Sequence, residues 1–245
     1  IDAEQVPNLA NIEDRWLKKP DAINGYAVPY LWGTLGIAYR KDLVEVQIDS
    51  WKQLYDPTEA LSGKVFMIKD ARELTGTALK ALGFSMNSND KDELEAARQL
   101  LHKQKPHVKS YDYMDLRDNS PLYTGEGVVS MAYNGDALSL QELNPNITYV
   151  LPREGGSIWV DYVAIMQGSR SKELAYKFID FLNEPENAAE IAQYAYNASP
   201  NRAAEKLLPE EFLNDKAIYP DPSALVKSET YEVLAPKTMR QINII

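Results

Sequence analysis

Gly155-Gly156-Ser157-Ile158-Trp159-Val160-Asp161-Tyr162-Val163-Ala164-Ile165 opens on two glycines and continues as a strand-like apolar run carrying one large aromatic and one acid, two positions apart. Side chains alternate faces along a strand, so Trp159 and Asp161 project the same way. A carboxylate there is costly in a sealed core unless a cation or hydrogen-bond donors meet it. The pair suits a ligand that is part hydrocarbon and part cation.

Working outward from this run, strand and helix signals alternate. Residues 25–40 read as extended, with Tyr26, Val28, Tyr30 and Trp32 alternating before Gly33 and Gly36 loosen the backbone into a hinge or strand crossing. A strand-like stretch at 65–68 precedes a helix over 70–82, whose Leu74, Ala78, Leu79 and Leu82 fall at helical spacing. Shorter helices are expected at 11–19, stopped by Pro20, and at 50–54. Asp90, Asp92 and Glu93 supply acids for the first turn of a helix that runs through His102 and ends at Pro106. Residues 127–133 read as a strand leading into Asn134-Gly135-Asp136, turn chemistry that opens a helix, and 147–151 as another strand. Helices are predicted over 172–182, 185–196 and 200–208. The last residues, Arg240-Gln241-Ile242-Asn243-Ile244-Ile245, stop inside an apolar pattern without a cap, as if a helix continued. The alternation predicts an α/β fold with a mostly parallel sheet.

The 245 residues suffice for one large or two modest domains, and 44% hydrophobic with 25% charged is globular composition. With 26 basic and 36 acidic residues the formal charge is −10, which argues against nucleic-acid binding and favours the approach of cations. There is no cysteine, which removes disulfides, thiolate metal sites and a thiol nucleophile. No apolar stretch approaches bilayer-spanning length, and the chain opens on Ile1-Asp2-Ala3-Glu4 rather than a basic, then apolar, leader. Any export signal is expected to have been removed or never to have been present.

Asp70 heads the helix over 70–82, where an N-cap alone accounts for an acid. The loop after a strand's carboxyl end is also the usual binding crevice of an α/β sheet, so both readings stay open. Glu73, three residues on, shares a helical face with Asp70. Tyr133 and Asp136 sit at the same kind of strand end; singly, the first reads as core packing and the second as a cap. With Trp159 and Asp161 they make a set that an aliphatic ammonium needs, ring faces for methylenes and carboxylates for charge. Catalytic signals are poorer. His102 and His107 lie in a lysine-rich segment without a neighbouring acid and read as surface residues, not metal ligands. No nucleophile elbow, phosphate loop or dinucleotide fingerprint occurs, so no cofactor, metal or catalytic residue is expected. An acid pair such as Asp70 with Asp161 leaves a carbohydrate-active hydrolase as the alternative.

Tyr26-Ala27-Val28-Pro29-Tyr30-Leu31-Trp32-Gly33, Asp70-Ala71-Arg72-Glu73, Tyr133-Asn134-Gly135-Asp136, Glu154-Gly155-Gly156-Ser157-Ile158-Trp159-Val160-Asp161 and Ser199-Pro200-Asn201-Arg202-Ala203-Ala204 follow one another along the chain. In this order they resemble the polyamine (spermidine/putrescine) substrate-binding proteins of bacterial ABC transporters, nearly end to end. The resemblance implies a two-lobed periplasmic-binding-protein type II fold that traps ligand as its lobes close. Lobe one would hold residues 1–34 and 159–207, and lobe two residues 35–158 and 208–245. Relatives begin with a further stretch of roughly a hundred residues, in keeping with about half a domain, so the N-terminal part of lobe one is expected to be missing from this chain.

By the same resemblance Trp159 is an aromatic wall and Asp161 the acid for an amine, while Asp70 and Glu73 hold one end of the polyamine. Tyr133 falls where relatives have Trp or another aromatic, and Asp136 where putrescine-type members place an acid, which leans toward a short diamine. Tyr196, or less well Tyr194, matches the tyrosine before the Ser-Pro-Asn segment, and Tyr231 lies where some relatives have an amide. The function implied is a receptor, not an enzyme, that captures putrescine or spermidine and delivers it to the ABC transporter permease in the membrane, or couples to a signalling membrane protein. A monomer when complete, in the periplasm or lipid-anchored outside the cell, is expected. A receptor for an anionic or metal-complexed solute fits less well, because no Arg-rich or Tyr-Tyr cluster marks the expected cleft.

Overall fold

The strands are β1 (Ala27–Arg40), β2 (Val65–Met67), β3 (Val108–Tyr111), β4 (Val129–Tyr133), β5 (Ile147–Val150) and β6 (Ile158–Ala164), and residue parity along β1 decides what covers each face of their sheet. Leu35, Ile37 and Tyr39 enter one apolar cluster and Ala38 another, the period of two that a pleated strand imposes. β4 obeys the same rule: Val129, Met131 and the half-buried Tyr133 join the first cluster, and Ala132 the second. The computed structural model describes residues 1–17 and 24–244. The helices are α1 (Asp14–Leu17), α2 (Trp51–Tyr55), α3 (Ala71–Leu82), α4 (Lys91–Gln104), α5 (Pro121–Thr124), α6 (Asn134–Leu143), α7 (Lys172–Leu182), α8 (Pro185–Ala195), α9 (Arg202–Glu205), α10 (Glu210–Asn214), α11 (Pro222–Leu225) and α12 (Pro236–Ile242).

The strand order is β3-β2-β4-β1-β5, with β6 also pairing β1. The sheet is mixed rather than mostly parallel: β1 runs antiparallel to both β4 and β5, while β2 is parallel to β3 and β4. The crossover rule that favours parallel neighbours applies to β2 and β3, joined through α3 and α4. It does not reach β1, whose neighbours arrive from far along the chain.

The chain divides into two compact units, Ile1–Gly33 with Trp159–Tyr219, and Thr34–Ile158 with Pro220–Ile245. In the second unit, Trp51, Leu54 and Tyr55 of α2, Ala78 and Leu79 of α3, Leu94 and Ala97 of α4, and Ile242 of α12 cover the face reached by Leu35 and Ile37. Leu122 of α5 with Ala137 and Leu140 of α6 cover the face reached by Ala38. α3 is closed by Gly83, whose φ of 88° is the left-handed conformation that glycine adopts at low cost.

In the first unit, Val6, Val28 and Ile179 form one cluster. Leu31, Ala188, Ala189, Ala192, Ala204 and Leu208 form another, with Trp159, Phe212, Leu213 and Tyr219 packed on it, so residues 208–219 go with this unit. The indoles of Trp16 and Trp32 lie 5.0 Å apart.

Three local expectations differ from the structure or lie partly beyond it. The stretch 200–208 holds only the single turn of α9, because Asn201 is extended and caps it, its Oδ1 accepting from the amides of Ala203 (2.9 Å) and Ala204 (3.0 Å). At the end of the chain the Asn243 amide closes α12, and Ile245, in the stretch expected to run on as helix, lies outside the described residues. The helix at 11–19 is described as α1 alone, and its expected stop at Pro20 lies outside the described residues. Among the described residues no helix is long and apolar enough to cross a membrane.

Candidate ligand site

Asp70 is the N-cap of α3. Its Oδ1 accepts from the amides of Arg72 at 2.8 Å and Glu73 at 2.9 Å, satisfying two donors that the helix leaves unpaired. Asp70→Ala is therefore expected to lower stability by about 1 kcal/mol. A chemical denaturation midpoint that falls with an unchanged slope checks this.

Asp70-x-x-Glu73 has capping-box spacing, yet Glu73 turns its carboxylate away from the cap and into the unit, where it is 5% exposed. Three hydroxyls meet it. The Tyr133 phenol donates to Oε1 at 3.3 Å, Ser157 Oγ donates to Oε2 at 3.2 Å and lies 3.4 Å from Oε1, and the Tyr231 phenol donates to Oε2. Parity in β4 explains Tyr133, since odd positions there face the side covered by α3.

The double glycine explains Ser157. A Cβ on Gly155, whose φ is +83°, would lie 2.3 Å from the Lys227 carbonyl oxygen, and one on Gly156 would lie 2.1 Å from that of Leu35. Only glycines let the chain pass this close to both segments. Ser157 is then fixed, its carbonyl accepting from the Leu35 amide (2.9 Å) while the next amide, Ile158, donates to the Glu229 carbonyl (2.8 Å).

Tyr231 is delivered by the segment around it. Glu229 pairs with the buried Lys80 at 2.7 Å. Asn87 Nδ2 donates to the Thr230 carbonyl at 2.9 Å, and Asn87 Oδ1 accepts from the Glu232 amide at 3.0 Å. The Arg72 guanidinium sits 4.7 Å from the centre of the Tyr231 ring.

Among the described residues no ion pair reaches the Glu73 carboxylate; its partners are these hydroxyls. Burial pushes its pKa up to about 7, opposed by the Tyr231 hydrogen bond, aided by the charge of Asp70, and opposed again by Ser157 and Tyr133. The phenols of Tyr133 and Tyr231 are raised by burial and by the Glu73 charge, so their protons stay on. A buried anion without a cation is costly, and an incoming ammonium would offset that cost.

Asp136 lies in the first turn of α6, half-buried and not among the partners of Glu73. Burial alone raises its carboxyl to about 6. In the first unit, Trp159 and Asp161 occupy positions of like parity in β6. Trp159 is half-buried and packs on the cluster of Leu31 and Ala188. Asp161 is exposed as a residue, yet partial desolvation raises its carboxyl. The phenol of Tyr30 is raised by burial and then by the charge of Asp161, which puts a tyrosine beside this pair. Tyr196 caps α8 at φ 52°, the one non-glycine with positive φ among the described residues, a strained conformation of the kind that collects at functional sites. Tyr194 is 91% exposed.

The structure thus gathers Glu73, Tyr133 and Tyr231 around one point, with Asp70 close enough to act on it through charge. Sequence reasoning missed Ser157, Arg72 and Tyr30; the double glycine was the available signal for the first. His107 Nδ1 meets Ser62 Oγ at 2.8 Å, and among the described residues no acid or histidine cluster suits a metal ion.

Residues 1–220 match the family model described as bacterial extracellular solute-binding protein. The chain is 37% identical over 233 residues to the spermidine/putrescine-binding periplasmic protein of Salmonella typhimurium, an alignment covering 94% of this chain and 65% of that protein's length. It is 36% identical over 220 residues to the norspermidine sensor of Vibrio cholerae, covering 89% of this chain and 60% of the sensor. The solved spermidine/putrescine ABC transporter substrate-binding protein of Streptococcus pneumoniae superposes with a TM-score of 0.86 at 30% identity, covering 100% of this chain and 75% of that one. The α/β fold is accordingly of the expected periplasmic-binding-protein type II class.

Proposed function

The chain belongs to the bacterial extracellular solute-binding proteins, and from that premise we propose that it captures a polyamine, putrescine or spermidine, and hands it unchanged to an ABC transporter permease in the membrane. The observation that carries this is Glu73, a carboxylate 5% exposed, surrounded by hydroxyls and in no ion pair among the described residues. An alkylammonium supplies the missing charge, and aromatic rings suit its methylenes. The names of the relatives, a spermidine/putrescine-binding protein and a norspermidine sensor, point to the same ligand class.

In this reading Asp70, Glu73, Tyr133, Asp136 and Tyr231 serve one end of the ligand in the second unit. Trp159, Asp161 and Tyr196 are contacts proposed within the first, and the two units act as the lobes of a monomeric receptor in the periplasm or on a lipid anchor. The hydrolase reading gains no support, since Asp70 Oδ1 is committed to the amides of α3.

Isothermal titration of the purified protein with putrescine and with spermidine tests the proposal, alongside an assay for glycoside turnover. Saturable binding at micromolar Kd or tighter, roughly −8 kcal/mol or better, with no turnover, is expected. No binding of either amine overturns it.

A further inference from the structure

We infer that Thr34, Asn134 and Tyr149 form a buried polar clasp that fixes β1 where the second unit begins, leaving Gly33 as the residue at which the strand flexes. Asn134 and Tyr149 are then positioning residues that govern ligand affinity through that hold, without touching ligand. The clasp goes beyond the polyamine reading and rests on it only for the ligand used in its test.

β1 passes from one unit to the other, the first ending at Gly33 and the second beginning at Thr34. Within the first unit, the buried Trp32 exchanges two backbone hydrogen bonds with Ala198, each 3.0 Å. Within the second, every polar group of the buried Thr34 is engaged. Its amide donates to Asn134 Oδ1 at 3.0 Å, its carbonyl accepts from the Tyr149 phenol at 3.0 Å, and its hydroxyl lies 2.8 Å from the same phenol oxygen. Since the phenol has one hydrogen and donates it to the carbonyl, the threonine hydroxyl is the donor to the phenol oxygen. Burial raises the pKa of the phenol, opposed by the Thr34 bond, so the hydrogen that the clasp needs stays on. Gly33 is the single residue between these two anchors.

Beyond Thr34 the strand is held on both sides. Leu35 to Tyr39 pair with β4, Ile37 to Arg40 pair with β5, and the Leu35 amide donates to the Ser157 carbonyl at 2.9 Å. Gly36, expected from the sequence to loosen the backbone, does the reverse. A Cβ there would stand 2.4 Å from the Val150 carbonyl oxygen and 2.6 Å from Tyr149 Oη, so the glycine permits the close approach that brings the phenol to Thr34. The pairing of β1 with β4 begins at Leu35 and Tyr133, because the chain turns into α6 at Asn134. Side chains thus take over where the ladder stops, and they meet backbone groups that burial would otherwise leave unpaired. Asn134 opens α6 and Tyr149 lies in β5, two elements packed in the apolar cluster of Ala38, so the hold is itself fixed. When the clasp is removed, the freely varying stretch of β1 extends from Gly33 into Thr34. The empty protein then spreads over more arrangements, and its apparent affinity falls with the fraction competent to bind.

The test combines amide hydrogen exchange with spermidine titration of wild type, Tyr149→Phe and Asn134→Ala, with thermal melts to establish folding. In the empty wild type the Thr34 amide is expected to exchange as slowly as that of Ile37, inside the ladder. Each substitution is expected to speed exchange at Thr34 and to weaken spermidine binding by about tenfold, the ordering of roughly one more backbone residue on binding. Saturating spermidine should restore the lost protection. Free exchange at Thr34 in the empty wild type would overturn the inference. A lower melting temperature with unchanged spermidine affinity would overturn it too, since the clasp would then support the fold alone. Thr34→Val, which deletes only the hydroxyl, takes the place of either variant that does not fold; a smaller loss of affinity is expected from it, and no loss counts against the clasp. Wild-type protein that binds no polyamine refutes the functional proposal instead, and exchange at Thr34 then decides the clasp by itself.

Discussion

Glu73→Gln is expected to lower polyamine affinity by about 2–5 kcal/mol, the range found when one partner of a desolvated charge pair is removed, while making the ligand-free protein more stable at pH 8. Both effects come from one cause. The Glu73 carboxyl is raised from 4.5 to about 7, chiefly by burial, so ionising it in the empty protein opposes folding by up to about 3 kcal/mol, at about 1.4 kcal/mol per pKa unit. Glutamine keeps the shape and an acceptor for Tyr133, Ser157 or Tyr231, removes the charge, and so relieves that penalty. It also removes the attraction for an ammonium. Titration and melting at pH 8 read the two quantities separately, and a variant that binds as tightly as wild type would refute the role given to Glu73.

Acidification is expected to weaken polyamine binding, by about thirtyfold between pH 8 and 5.5 for one group of pKa near 7 that must be ionised to bind. Aliphatic amines stay protonated throughout, since an alkylammonium such as that of lysine titrates near 10.4, so the change belongs to the protein. Asp70, Arg72, Tyr55, Tyr133 and Tyr231 are charged or titratable groups that face Glu73 or interact with its charge. Asp136, raised to about 6, acts in the same direction if it also meets the ligand. Stability of the empty protein moves the other way. Because the folded pKa of Glu73 lies above the unfolded value, its contribution to stability is fully present below pH 4.5 and is lost as pH rises through about 7. Between those values acid therefore favours the folded empty protein and disfavours the complex.

Local features of the fold were legible because they depend on neighbours in sequence. The apolar spacing of Leu74, Ala78 and Leu79 and the cap at Asp70 mark α3 almost to the residue. Strand direction was not legible, because β1 is sandwiched between β4 and β5, whose residues lie some hundred positions downstream, and nothing in its own sequence states which way they run. β3 was missed altogether. It is an edge strand with no buried residue and an exposed Lys109, so it carries little apolar signal.

The candidate site divides along the same line. Acids at a helix start and an aromatic at a strand end drew notice to Asp70, Glu73 and Tyr133. The separation of their tasks did not show in the sequence, Asp70 serving the backbone while Glu73 faces hydroxyls. Ser157 and Tyr231 lie 84 and 158 residues from Glu73. Their convergence depends on the close passage at Gly155 and Gly156 and on the anchoring of Glu229, neither of which leaves a local pattern.

The proton count that accompanies binding tests the role of Glu73 most directly. Spermidine titrations at pH 6 in buffers of different ionisation enthalpy should show wild type releasing about 0.9 proton more per ligand than Glu73→Gln, the fraction by which a group of pKa near 7 is protonated there. Equal proton counts for the two proteins would contradict the account.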